Sequence, residues 1–166
     1  LINALLNERQ DGRDIVVPAG ASEQRDLLRA LMNIRPPEAF ATEVLDVQDT
    51  YLQQRLVERG GASDAGTLPY RNRVAVWRGD ITLLKADAIV NAANSQMLGC
   101  FVPGHRCIDN AIHTYAGMQL RLACADIMDE QGHEEPTARV KVTPAFNLPS
   151  SYVFHTVGPI VPSHKP

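Results

Sequence analysis

Asp87-Ala88-Ile89-Val90-Asn91-Ala92-Ala93-Asn94 is a short apolar run that breaks off into small and amide residues. Runs of this kind, four to eight residues long and bounded by turn formers, read as buried strands of a layered α/β sheet. Working outward supports that reading. Downstream, Cys107 to Ala116 has the spacing of a helix closed by Gly117. Met118 to Gln131 has the same character, with Leu120, Leu122, Cys124, Ile127 and Met128 as its apolar positions and Gly132 at its end. Arg139-Val140-Lys141-Val142 and Tyr152-Val153-Phe154-His155 return to strand, and upstream Val74-Ala75-Val76-Trp77 reads as another buried strand. Strands alternating with helices predict an α/β layered domain.

The residues before this alternation read differently. Leu1, Ile2, Leu5 and Leu6 predict a short amphipathic helix. A second helix is expected from Ser22 as its N-cap, carrying Leu27, Leu28, Leu31 and Met32 and stopped by Pro36-Pro37. A third runs from Thr42 to about Arg59, with Val44, Val47 and Tyr51 on one stripe, Leu45, Leu52 and Leu56 beside it, and Gly60-Gly61 closing it. Residues 60–72 read as a connecting loop. The expected organisation is a helical N-terminal extension and linker over 1–70, then an α/β domain over 71–166. Nothing in the extension's helices looks catalytic.

Composition narrows the function classes. With 166 residues and 45% hydrophobic content there is material for a sizeable core. A net charge of -3 makes no basic footprint, so no nucleic-acid partner is expected. No apolar run approaches the roughly 18 residues that span a membrane, so no membrane partner is expected either. Three cysteines, two of them close together, point to reduced thiols or metal and hence to a cytoplasmic setting.

The chemistry concentrates in Gly99-Cys100-Phe101-Val102-Pro103-Gly104-His105-Arg106-Cys107. Two thiols and an imidazole can reach one Zn²⁺ if the chain folds back, and Pro103-Gly104 supplies the turn. No fourth Cys or His lies near them, and a three-ligand site leaves one position for water or substrate. The plainer use of Cys100 and Cys107 is as free thiols, and of His105 as a surface histidine. Cys124, His113 and His155 read as structural, and His133 as solvated.

Arg78-Gly79-Asp80-Ile81-Thr82, followed by the run ending at Asn94, resembles the opening signature of macrodomains, the ADP-ribose-binding fold. The insertion from Gly99 to Ile108-Asp109-Asn110 resembles that of the zinc-dependent protein-ADP-ribose hydrolases of microbes. Leu31-Met32-Asn33-Ile34-Arg35-Pro36-Pro37, Pro144-Ala145-Phe146-Asn147-Leu148-Pro149 and His155-Thr156-Val157-Gly158-Pro159 are similar to further segments of that subfamily. The resemblance implies a layered α/β/α macrodomain, incomplete here, because the second glycine-rich loop that binds pyrophosphate through backbone N–H groups finds no counterpart after Gly117. The expectation is the first part of a macrodomain with its C-terminal part missing. Where relatives often have glycine, this chain has Ala138.

The resemblance also assigns roles. Asp80 accepts from the adenine amino group with the Ile81 N–H beside it, Asn91 and Ile108 belong to the ligand site, and Asn94 faces the distal ribose. Asp109 also belongs to the ligand site and helps position or activate water. The bland uses stay open: Asp80 as a turn cap, Asn91 and Asn94 as turn residues, Asp109 as a helix N-terminal charge. The implied cofactor is one Zn²⁺ per chain on Cys100, His105 and Cys107, polarising the anomeric linkage or lowering the pKa of an attacking water to about 7. The implied substrate is an ADP-ribosylated protein and the product free ADP-ribose. The alternative is a reader module that binds ADP-ribose without cleaving it.

Overall fold

A computed structural model describes residues 1–9 and 15–159; the last seven residues of the 71–166 assignment lie outside the described residues. Three helices come first: α1 (Ile2–Glu8), α2 (Ala21–Ile34) and α3 (Thr42–Glu58). Leu5, Leu28, Leu31, Met32 and Leu52 bury one common core together with Met118 from the domain that follows, so the extension is docked rather than loose. Helix α2 begins two residues earlier than the sequence indicated. Gly20 is its N-cap, Ser22 lies in the first turn, and no side chain caps the end. It stops at Arg35, whose extended backbone is what a following proline imposes.

The stripe expected of α3 is only partly realised. Leu52 is buried, but Val47 is half exposed and the fully buried neighbour is Gln48. Gln48 is inside because its amide is satisfied: Oε1 accepts from the Met118 N–H at 2.8 Å and Nε2 donates to Gln119 Oε1 at 2.7 Å. It thereby caps the start of a later helix, as buried amides must find partners to offset their desolvation.

The segment expected to be a plain loop contains β1 (Ser63–Asp64), which pairs in parallel with β2 (Leu84–Lys85). The strand expected over Val74–Trp77 is absent. Val74 and Val76 are exposed, and the segment's one pairing is a tight bridge between Arg71 and Val74 across Asn72 and Arg73, both at positive φ. Among the described residues no strand lies alongside it, and an apolar run without a ladder partner has no reason to extend as sheet.

The main sheet follows the expected alternation. Its order is β3 (Ala88–Ala93), β5 (Tyr152–Val157), β4 (Val140–Pro144), with β3 parallel and β4 antiparallel to β5. Parallel pairing across a helical crossover is the βαβ arrangement. The crossover holds α4 (Ile108–Ala116) and α5 (Met118–Gln131), separated by Gly117 at φ 100° and closed by Gly132 in the left-handed region. Side chains alternate with period two. Ile89 and Val153 point at the helices and join Ile112, Ala116, Leu120 and Cys124 in the core. Val90, Val142, Tyr152 and Phe154 point the other way and are exposed. Ala138, the position where relatives often carry glycine, sits at φ 63° just before β4 and accepts left-handed strain of about 1 kcal/mol.

Candidate functional site

The loop between β3 and α4 is set by two glycines. Gly99 is at φ 78°, and a Cβ there would fall 2.7 Å from the His113 ring, so only glycine fits. Gly104, at φ 65°, makes the turn that brings His105 back. As a result Cys100 Sγ, the His105 ring nitrogen and Cys107 Sγ all lie within 4.8 Å of one another. Cys100 Sγ stands 3.6 Å from His105 Nδ1. With Zn–S near 2.3 Å and Zn–N near 2.05 Å, a tetrahedral S···N pair stands roughly 3.6 Å apart, so the donor set fits zinc. The thiols are half-buried and His105 is exposed, which leaves one side of the cluster open.

Cys107 is also the N-cap of α4, its sulfur accepting from the Asn110 N–H at 3.3 Å. Burial pushes its thiol pKa up. The Asn110 N–H works against this, while Cys100 and the Asp109 charge push it further up. Groups that can become anionic are thus crowded at the helix start, and a bound cation would favour their charged forms.

Asp109 lies two residues on and is almost fully buried. Its Oδ1 accepts from Asn91 Nδ2 at 2.8 Å and lies 3.5 Å from His113 Nε2. Burial pushes its carboxyl pKa up, opposed by the Asn91 hydrogen bond and the Arg121 charge. Asn91 is fully buried and reaches further back, its Nδ2 standing 3.1 Å from His155 Nδ1. His155 Nε2 in turn is 3.0 Å from Thr143 Oγ1. The neutral tautomer with the proton on Nε2 satisfies both contacts, Nδ1 accepting and Nε2–H donating. The structure therefore places Asn91 beneath Asp109, as the residue that aims it.

Asp80 caps the 3₁₀ turn Ile81–Leu83 and carries more partners than a cap needs. Oδ1 accepts from the Thr82 N–H and hydroxyl at 2.9 and 2.7 Å, and Oδ2 accepts from Arg59 at 2.5 Å. Burial raises its pKa, but the Thr82 and Arg59 contacts outweigh it and hold the carboxyl below its usual range. Arg59 also stacks over the Tyr115 ring, 3.4 Å from its centroid. Ile81 and Ile108, both half-buried, pack on the same core cluster and bring the Asp80 turn alongside α4. Asn94 is exposed and takes the turn role: Oδ1 accepts from the Gln96 and Met97 N–H groups, and Nδ2 donates to the Gly99 carbonyl at 3.1 Å. It thereby fixes the entry to the Cys100 loop.

Sequence reasoning missed the polar residues that hold this loop from behind. Arg121 is the clearest. It is buried in the first turn of α5, donates to the carbonyls of Leu98, Met32 and Arg35, and stacks under Phe101 at 4.2 Å. Burial lowers its pKa to about 10, and Asp109 and Cys100 are among the charges that oppose the fall. The signal was an arginine between Leu120 and Leu122, where the helical pattern alternates rather than staying apolar.

Comparison with known proteins bears on the fold. Residues 90–166 match the Macro domain family. A protein-ADP-ribose hydrolase of Treponema medium is 55% identical over 97% of this chain, which covers 63% of that relative. One of Staphylococcus aureus (strain MRSA252) is 46% identical over 96% of this chain and 60% of its own length. The chain thus spans about three fifths of the curated relatives it matches. Among solved structures, a Trypanosoma brucei macrodomain superposes with a TM-score of 0.53 at 26% identity, covering 89% of this chain and 61% of that one. The Trypanosoma brucei macrodomain in complex with ADP-ribose gives 0.51 at 29% identity, over 80% and 59%. Sheet, helices and matches agree: the chain has the mixed α/β fold of the macrodomains.

Proposed function

We infer that this chain forms the catalytic part of a zinc-dependent hydrolase that removes ADP-ribose from modified protein side chains. One observation carries the reading: Cys100, His105 and Cys107 present their donor atoms within 4.8 Å of one another, two residues before a buried carboxylate, in a macrodomain fold. One zinc per chain would be held by these three residues and would supply Lewis-acid chemistry.

The protein's own groups do the rest. Asp80, kept ionised by Thr82 and Arg59, accepts from the adenine amino group, with the Ile81 N–H beside it. Ile108 lines the ligand site. Asn94, at the mouth of the Cys100 loop, offers a ribose hydroxyl the second N–H of its Nδ2, its Oδ1 being taken by the Gln96 and Met97 amides. Asp109 takes the proton of a water that adds to the anomeric carbon. The bond to the protein side chain breaks as the proton passes to the leaving group. Asn91, anchored on His155, holds Asp109 in line. The substrate is an ADP-ribosylated protein and the product free ADP-ribose. The three free cysteines fit a reducing cytoplasm.

Purified protein should release ADP-ribose from a mono-ADP-ribosylated protein, and elemental analysis should find about one zinc per chain. Cys100→Ala/Cys107→Ala should lack the zinc. Protein that carries its zinc and binds ADP-ribose but releases none would be a reader instead, and equal zinc in wild type and variant would remove the metal site.

A further inference from the structure

The Cys100 loop has little of its own to hold it. Every residue from Phe101 to Arg106 is exposed, so burial cannot fix its shape. Its hydrogen bonds run mostly to two elements, α4 beneath it and α2 of the N-terminal extension. From α2, Arg29 Nη2 donates to the His105 carbonyl at 3.1 Å and to Asn110 Oδ1 at 2.8 Å. One turn later, Asn33 Oδ1 accepts from the Gly104 N–H at 2.9 Å, while its Nδ2 donates to Thr114 Oγ1 at 3.0 Å. Asn110 completes the set by donating to the Val102 carbonyl at 3.1 Å. Thr114 closes it by donating to the Asn110 carbonyl at 2.7 Å.

These contacts bracket His105. The peptide N–H before it and the carbonyl after it are both gripped by residues four apart on one helix face, separated from the loop by more than seventy residues of sequence. Asn33 is fully buried, and an amide there has no purpose in packing that an apolar residue would not serve better. Its two bonds, one to the loop and one to α4, are what it is there to make.

We propose that α2 is a clamp for the metal loop: Arg29 and Asn33 hold Gly104–His105 in the position from which the imidazole meets Cys100 and Cys107, and so set the zinc affinity. The clamp rests on the reading of that loop as a zinc site. Both residues are positioning residues. The physical basis is that a site with three donors on a largely exposed loop binds weakly unless that loop is already in shape, since ordering six exposed residues at the moment of binding costs conformational entropy. Groups that orient the ligands of a metal without touching it commonly change affinity 10- to 100-fold.

The test measures zinc affinity by competition with a chromophoric chelator, on purified wild type, Arg29→Ala, Asn33→Ala and the double variant. Asp26→Asn, at an exposed position on the same helix, serves as control. Each clamp variant should bind zinc about 10-fold or more weakly, with helix content and unfolding midpoint near wild type and the control unchanged. In metal-free protein, hydrogen exchange at the Gly104 amide should accelerate about 10-fold in Asn33→Ala, a change that loss of general stability would spread over the whole domain. Arg29→Ala, at a half-buried position, keeps the test open if Asn33→Ala fails to fold. Zinc affinity in the double variant within twofold of a zinc-binding wild type would overturn the clamp alone. A wild type that binds no zinc would overturn the clamp and the metal reading together.

Discussion

Asp109→Asn should lower the rate of ADP-ribose release roughly 10²- to 10⁴-fold, the usual weight of a general base, while affinity for free ADP-ribose changes little. Asparagine keeps the shape and can still accept from Asn91 Nδ2, so the network back to His155 and Thr143 survives. What it loses is the ability to take a proton. If Asp109 served only as a favourable charge at the start of α4, the substitution would cost about 0.3–1 kcal/mol of stability and leave turnover alone. The two roles differ by orders of magnitude in rate, so single-turnover kinetics beside a thermal melt separates them. Turnover within threefold of wild type would move the base elsewhere.

Acid should destabilise the fold through His155. Burial lowers its pKa to about 4 from an ordinary 6.5, and among the described residues no charged partner offsets protonation. Asn91 and Thr143 hold its nitrogens and Cys124 and His113 face it, all best matched to a neutral ring. Above pH 6.5 neither folded nor unfolded chain carries the proton, and stability is unaffected. As pH falls below 6.5 the unfolded chain takes it up first, so stability drops until the folded pKa near 4 is reached, by about 3 kcal/mol in all. His113, whose pKa burial also lowers well below its ordinary value, adds loss of the same sign. Asp109, whose pKa burial raises, works the other way at the acid end. Denaturant unfolding between pH 7 and 5 should therefore show a steep fall in wild type and a shallower one in His155→Gln. Parallel slopes would mean that the ring is not neutral in the fold.

The parts of this molecule that were legible in the sequence are those with local causes. Gly117 and Gly132 end α4 and α5 where expected, because left-handed geometry admits little else. Pro36-Pro37 stops α2 within two residues, because proline constrains its predecessor. The spacing of Cys100, His105 and Cys107 was readable because donors within a stretch of eight residues around a Pro-Gly turn can converge on one ion. What could not be read was set from a distance. Gln48 and Asn33 are buried amides whose partners lie about seventy to eighty residues away. Asn91 carried the right residue type for a ligand contact, yet only the fold reveals Asp109 and His155 as its neighbours. Val74–Trp77 shows the converse failure. An apolar pattern states what a segment would bury, and only the presence of a strand beside it decides whether it does.

Those distant contacts converge on the Cys100–Cys107 loop. Arg121 ties Leu98 at its start to Met32 and Arg35 of the extension, and Asn94 braces Gly99 at its entry. The fold's two apolar clusters meet at Tyr115, so loop and extension are joined by packing as well. Because that core rests on helices and sheet, the domain should keep its fold when metal is removed.

ADP-ribose release from a modified protein, followed while zinc is removed by a chelator and then restored in slight excess, tests the central claim most directly. Release should stop when the metal leaves and return with zinc, while the helical signal and unfolding midpoint stay in place throughout. Metal-free protein that remains folded and fully active would contradict the account.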